Sequence, residues 1–173
     1  EVYVTDNYDV DLVEGTLTIT KAVGADLDIT DYEGVYDGEW HSIEIENLIV
    51  GDKPYYSEDG GETWSEINPS YTDVGEYTVL VKVENPNYED REGEGTVKIT
   101  PRKVTVKANS GSFTYDGTLK TVEGYEEPVG LLEGHELSGV SAKGTGTNAG
   151  TYPVTFTGTP VIMAGGEVYV TDN

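Results

Sequence analysis

The chain has 173 residues, of which 33 are acidic and 10 are basic, giving a formal net charge of -23. Such an excess of negative charge repels phosphate backbones and anionic lipid surfaces, so neither nucleic acid nor a membrane is an expected partner. The absence of cysteine excludes disulfides, and the abundance of Val, Ile, Thr, Tyr and Gly favours strands and turns over helices.

The first seven residues, Glu-Val-Tyr-Val-Thr-Asp-Asn, recur unchanged as the last seven. An identity of this length is typical of a repeat array, so the simplest interpretation is one complete unit followed by the start of the next. The first residue is Glu1 rather than Met, and no signal peptide is visible. We therefore expect an interior portion of a longer protein.

A shorter, degenerate repeat divides this unit in two. Three motifs occur twice: 35–38 matches 114–117, 72–79 matches 147–154, and 15–20 matches 95–100. The third motif closes a module. We therefore predict that 1–20 holds the closing strands of a preceding module, that 21–100 is a whole module, and that 101–173 is a second module lacking its final strand.

The long repeat also predicts which segment resembles the strand that 101–173 lacks. That segment is 8–20, which precedes the first whole module. We expect residues 8–20 of one molecule to pair into 101–173 of another by strand addition.

Alternating apolar and polar residues predict strands, and one apolar face opposite one polar face is typical of antiparallel sheets. Turns rich in Gly, Asp and Asn separate these segments, and the best helix candidate, 129–137, is interrupted by two glycines. We predict an all-β fold of tandem Ig-like β-sandwich modules with antiparallel sheets. The predicted strands include 42–46, 76–83, 103–108 and 151–157.

Each predicted module also contains a more specific signature. Asp73-x-Gly75-x-Tyr77-x-Val79 has the form of a tyrosine corner, in which the Tyr begins a strand and its hydroxyl bonds to the backbone just upstream. Residues 148–154 have the same form. A large aromatic residue held in this way can stabilise a small core without a disulfide.

These motifs resemble those of the MBG and YDG repeat modules of large bacterial cell-surface proteins. The resemblance rests on Tyr-Asp-Gly at 36–38 and 115–117, on Asn-Ala-Gly-Thr-Tyr at 148–152, and on 4–10 leading into 15–21. It implies Ig-like repeats of an adhesin-like protein, extracellular and attached to the cell wall through other regions. It implies a non-catalytic stalk, spacer or adhesive repeat without a cofactor, whose partners are the neighbouring modules.

Aromatic residues near one predicted hairpin indicate an alternative function. Residues 57–64 fit the Asp-box pattern Ser-x-Asp-x-Gly-x-Thr-Trp, which is common in sialidase propellers. A single box favours a structural hairpin over a glycosidase-related fragment, because a propeller needs several blades. Adjacent tyrosines cannot both face one core. Tyr55, Tyr56 and Trp64 are therefore candidate contacts to a host glycan or mucin.

No catalytic residue is predicted. The only histidines, His41 and His135, have no second ligand or triad partner at motif spacing, and we interpret both as surface residues. Asp6, Asp9 and Asp11 offer oxygens of the kind that calcium prefers, although they follow no EF-hand pattern. A solvated acidic face is the alternative interpretation, and no other cofactor is expected.

Overall fold

A computed structural model describes residues 1–3, 5–164 and 167–170, with the side chains of Asp6 and 167–170 outside the description. The described residues form short and long strands and one turn of 3-10 helix, with no α-helix, which confirms the all-β prediction. The elements are η1 Thr5–Asn7, β1 Ile29–Thr30, β2 Tyr32–Val35, β3 Glu44–Ile45, β4 Lys53–Ser57, β5 Gly75–Glu84, β6 Arg91–Thr100, β7 Lys120–Glu123, β8 His135–Gly146, β9 Thr155–Ala164 and β10 Glu167–Val170.

Two sheets form in the first half of the chain, 21–100. Strands β4, β5 and β6 pair antiparallel, and β2 joins the outer edge of β6 in parallel, giving the order β2-β6-β5-β4. Strands β1 and β3 form a separate antiparallel pair. The prediction of antiparallel sheets is wrong for β2, because residues 36–90 provide the long crossover connection that a parallel neighbour requires.

The hydrophobic core lies on one face of β5 and β6. Alternate residues of both strands point into it, as the pattern of 76–83 predicts, and side chains from the β1–β3 layer pack against it. Burial of these side chains is the main favourable contribution to the stability of this half. The buried members of the core are Ile43, Tyr56, Val79, Val81, Val83, Val97 and Ile99.

Glycine at two positions of β6 allows the layers to approach. A Cβ atom on Gly93 would lie 2.6 Å from Ile29 Cδ1. A Cβ atom on Gly95 would lie 2.8 Å from both Ile29 Cγ2 and Ile43 Cγ2. These distances are well below the carbon–carbon optimum of about 3.5–4.0 Å, so the spacing of the layers requires positions without side chains.

The second half, 101–173, forms one antiparallel sheet in the order β10-β9-β8-β7. Among its described side chains, Ala142 is the single hydrophobic one that is buried. The second half therefore has a sheet with a largely uncovered face.

Two predicted strands of the second half differ from the structure. Segment 151–157 forms a strand only from Thr155 onward, and segment 103–108 forms none. A strand needs a neighbour along its whole edge to be stable, and these segments have one only in part. Residues 103–108 contribute two isolated bridges, Thr105 to Val129 and Ala108 to Tyr125.

The described residues of 1–20 join none of the three sheets. Within this segment Thr5–Asn7 forms η1, and the first β-bridge of the chain is at Ala22, which pairs with Tyr88 just before β6. The closing strands predicted here have no partner in the structure, so their backbone groups face solvent rather than a ladder.

A buried ion pair holds one end of the first half together. Arg91 Nη2 donates to Asp52 Oδ2, and the two side chains are 8% and 1% exposed. Asn85 Nδ2 donates to Asp52 Oδ1 at 2.8 Å, and the backbone N–H of Ile49 donates to Oδ2 at 2.8 Å. Burial raises the pKa of Asp52, but these hydrogen bonds outweigh it and hold the pKa below its usual value.

We expect Gly95→Ala to destabilise the protein by about 1–3 kcal/mol, because the added methyl group overpacks the space between the layers. Urea denaturation in dilute solution measures this change. Gly15→Ala is the matched control, since no atom lies within 4 Å of a Cβ at that position. Equal stability of the two variants would contradict the argument from layer spacing.

We expect Asp52→Asn to cost about 3–5 kcal/mol in the free energy of unfolding at neutral pH, because it leaves the Arg91 guanidinium buried without its counter-ion. Its pH dependence follows from the lowered pKa of Asp52. The ionised carboxylate stabilises the fold above its unfolded pKa of about 3.9, and this contribution is lost as the pH falls through the folded pKa.

The difference in unfolding free energy between wild type and Asp52→Asn isolates this carboxylate from the many other acids that titrate together. We expect the difference to be constant above the unfolded pKa and to shrink toward acid. A difference that grows on acidification would show that Asp52 is not the ionised partner of Arg91.

Candidate functional site

A groove with a cavity volume of about 730 Å³ opens on the second half. Segment 107–115 lines it as one wall and segment 144–152 with Val154 as the other, and Val122 of β7 also lines it. Phe113 and Tyr152 are among the apolar groups in it, and both are exposed. The groove is therefore a solvent-open, partly apolar trough beside a sheet.

The walls of this groove match two strands of the first half by sequence motif. Segment 111–114 precedes Tyr-Asp-Gly as β2 does, and segment 150–154 contains the second tyrosine corner as β5 contains the first. In the first half, β6 lies between β2 and β5 and pairs with both. In the second half, the corresponding place is the groove.

Both Tyr-Asp-Gly motifs form the same kind of turn. Asp37 Oδ1 accepts from the Glu39 N–H at 2.9 Å, and Asp116 Oδ1 accepts from the Thr118 N–H at 3.0 Å. The glycine that follows each Asp has a positive φ, 81° at position 38 and 77° at position 117. Glycine adopts this left-handed conformation without steric cost, which accounts for the Asp-Gly pair in both turns.

The aspartates of these turns accept hydrogen bonds that lower their pKa values. The ammonium group of Lys120 and the hydroxyl and N–H of Thr118 lower the pKa of Asp116 to about 2. A hydrogen bond from His41, followed by the Glu39 N–H, lowers the pKa of Asp37. Each carboxylate therefore stays ionised as the acceptor of its own turn.

Both predicted tyrosine-corner hydrogen bonds are confirmed. The Tyr77 hydroxyl donates to Asp73 O at 3.3 Å, and the Tyr152 hydroxyl donates to Asn148 O at 3.1 Å. Tyr77 also stacks on Tyr71, with ring centroids 4.0 Å apart. Tyr152 instead borders the groove. The same local structure is thus packed in one half and open in the other.

The Asp-box segment 57–64 forms a closed polar hairpin. Asp59 Oδ1 accepts from the Ser57 hydroxyl at 2.7 Å and from the Thr63 N–H at 2.9 Å, while Oδ2 accepts from the Thr63 hydroxyl at 2.6 Å. These bonds, led by the Thr63 hydroxyl, hold the pKa of Asp59 well below its usual range. Both oxygens of Asp59 therefore serve the turn.

The three aromatic residues proposed as ligand contacts separate onto two faces. Tyr56 is in the core, where burial raises its pKa. Tyr55 and Trp64 lie on the opposite face, where the Lys82 ammonium is 5.5 Å and 5.3 Å from their ring centroids. A ligand on this face would meet two rings with the Lys82 ammonium over both.

His41 and His135, interpreted from the sequence as surface residues, are both partly buried in the structure. The His41 side chain is 16% exposed; it stacks on Tyr32 with ring centroids 3.9 Å apart, and its Nε2 lies 2.9 Å from Asp37 Oδ1. The backbone bridge to Tyr71 fixes this position. Sequence spacing missed the contact because stacking on Tyr32 depends on the fold.

The candidate calcium ligands are not gathered into a site. Asp9 and Asp11 are exposed in the segment before the first sheet, and the side chain of Asp6 lies outside the description. The described residues contain no group of three or more His, Asp or Glu side chains that could hold a metal ion. Calcium binding by these aspartates stays a prediction.

Comparison with protein families, curated proteins and solved structures found no match for this chain. Of the residues that the structure describes, none belongs to a helix long and apolar enough to cross a membrane. The resemblance to MBG and YDG modules therefore rests on the short motifs themselves.

Proposed function

We propose that the chain is a non-catalytic, extracellular repeat module of a bacterial surface adhesin, acting as a stalk or spacer built from Ig-like β modules. The observation that carries the proposal is the recurrence of two local structures in the same order. The Tyr-Asp-Gly turn and the tyrosine corner occur in the first half and again in the second. Recurring small units of this kind suit an extended array in which each unit contacts its neighbours.

The state of the carboxylates supports a structural role. Asp37, Asp52, Asp59 and Asp116 all have lowered pKa values, and each accepts hydrogen bonds from its own turn or from a buried arginine. Acid catalysis at neutral pH requires the opposite, a carboxyl group whose pKa is raised toward the working pH. These carboxylates hold the backbone in place.

Contacts between the halves support a defined junction. Tyr36 and His135 have ring centroids 6.3 Å apart, and a Cβ atom on Gly38 would lie 3.3 Å from Leu132 Cδ1. The Tyr-Asp-Gly turn of one half is thus seated against the next half. A net charge of -23 would keep adjacent arrays apart on a crowded cell wall.

We expect tandem copies of residues 1–166 to lengthen by a constant increment per copy, because stacked modules contact only their neighbours. Small-angle X-ray scattering of one, two and three linked copies measures the maximum dimension. A maximum dimension that barely changes from two copies to three would indicate collapse into a globule and would exclude a spacer.

Glycan or mucin binding is the second candidate, and the face of Tyr55 and Trp64 favours it. Two aromatic rings on one exposed face can stack on a sugar, although Lys82 lies over both. The more distant glycosidase-related alternative has less support, because both oxygens of Asp59 hold the hairpin.

For a spacer we expect no binding to an array of glycans and mucins, and no difference between wild type and Trp64→Ala. Trp40→Ala is the matched control, because Trp40 is 70% exposed elsewhere on the same half. Binding that is lost in Tyr55→Ala and Trp64→Ala but kept in Trp40→Ala would replace the spacer with a glycan-binding module.

A further inference from the structure

Segment 8–20 has the composition of a strand but no partner. It lies outside every described strand and bridge, although it carries six large hydrophobic side chains. Each of the six is at least 61% exposed, and exposing so many neighbouring apolar side chains to water is unfavourable. They are Tyr8, Val10, Leu12, Val13, Leu17 and Ile19.

The groove of the second half lacks the strand that lies at the matching place in the first half. In the first half, β6 runs between β2 and β5, with Val97 opposite both Tyr32 and Tyr77. The matching walls in the second half, 111–114 and 150–154, face the groove with no described strand between them. The groove thus presents two unpaired edges and a partly apolar lining that includes Phe113, Val122 and Val154.

We propose that residues 8–20 of one copy of the chain fill the groove of another copy as an inserted strand. The motif shared by 15–20 and 95–100 sets the register. In the first half Val97 pairs with Tyr77, so Leu17 would pair with Tyr152 of the other copy. Ile99 pairs with Gly75, so Ile19 would pair with Gly150. This register turns Leu17 and Ile19 toward the lining of the groove and leaves Thr16 and Thr18 in solvent.

Pro153, between the lining residues Tyr152 and Val154, fits this register. The Thr96 N–H donates to Asp31 Oδ1 on the β2 side, so it points away from β5, and the pair of Thr78 and Thr96 is a non-hydrogen-bonded one. Pro153 occupies the position of Thr78. Its missing N–H therefore removes no bond from the ladder that the inserted strand would form.

Geometry favours insertion between copies over insertion within one. Ala22 is bridged to Tyr88, which precedes β6, whereas the second half contacts the Tyr36 turn beyond the other end of β6. The proposed seat of Thr20 is next to segment 111–114. Two residues span about 7 Å, so insertion within one chain would require Thr20 in the groove to lie within that distance of Ala22. The two positions are instead at opposite ends of β6.

Insertion between copies joins the tail of one molecule to the head of the next. The two surfaces differ, so the contact does not close on itself and yields open, linear chains. The inference stands apart from the proposed function, because it requires only the segment and the groove.

The first test is self-association. We expect the wild-type chain to form linear oligomers as its concentration rises from micromolar to millimolar, more so at high salt, which screens the repulsion between acidic copies. Light scattering after size-exclusion chromatography gives the mass. A chain that stays monomeric across this range at high salt would overturn the proposal.

A pair of matched variants tests the face of the segment. Leu17→Asp with Ile19→Asp should abolish the oligomers, whereas Thr16→Asp with Thr18→Asp adds the same charge on the solvent side and should leave them. All four side chains are exposed in the free chain, so neither variant disturbs the fold. Equal effects of the two variants would refute the register.

Cysteine pairs test which copies are joined, since the native chain has no cysteine. Thr18 and Thr151 correspond to the pair Lys98 and Glu76. A mixture of Thr18→Cys and Thr151→Cys chains should form a disulfide-linked dimer, and a mixture of Leu17→Cys with Thr151→Cys should not. A disulfide inside a monomer of the double variant would show insertion within one chain and overturn the proposal.

A synthetic peptide of residues 8–20 provides a test that does not depend on any variant. In excess it should occupy the groove and convert the oligomers to monomers, each carrying one peptide. A peptide with the same composition in scrambled order is the control. Oligomers that persist with the native peptide, or that dissolve equally with the scrambled one, would contradict strand insertion.

Discussion

A pleated segment is stable only when a neighbour pairs with its backbone edge and another layer covers its apolar face. The first half satisfies both conditions. Strand β6 is paired on both sides, and the β1–β3 layer covers the face that it shares with β5. The second half satisfies the first condition in part and the second hardly at all, which is why almost none of its described side chains is buried.

Glycine and aspartate residues shape the turns and the close layer contacts of the described structure. Gly93 and Gly95 let two layers approach, while the glycine of each Tyr-Asp-Gly turn takes a left-handed conformation. Aspartates accept the hydrogen bonds that close the turns and the hairpin, and their lowered pKa values follow from that role. A strongly acidic chain can thus place part of its charge where it holds the backbone rather than where it performs chemistry.

The proposed spacer role and the proposed strand insertion rest on different observations. The first rests on local structures that recur along the chain, and the second on a segment and a groove that each lack what the other provides. A spacer of linked modules does not require free copies to associate, and free copies that associate need not come from a cell wall. Where both hold, the contact between copies would reproduce the contact between successive units of an array.

The sequence by itself determined the strand period, the turns and the two tyrosine corners, because these depend on neighbours a few residues apart. It therefore led to the all-β fold, to β5, and to the hydroxyl bonds of Tyr77 and Tyr152. Only the tertiary structure decided the parallel pairing of β2, the burial of Tyr56 and His41, and the loss of a strand at 103–108. Each of these depends on which distant segment arrives beside it, and local alternation carries no information about that partner.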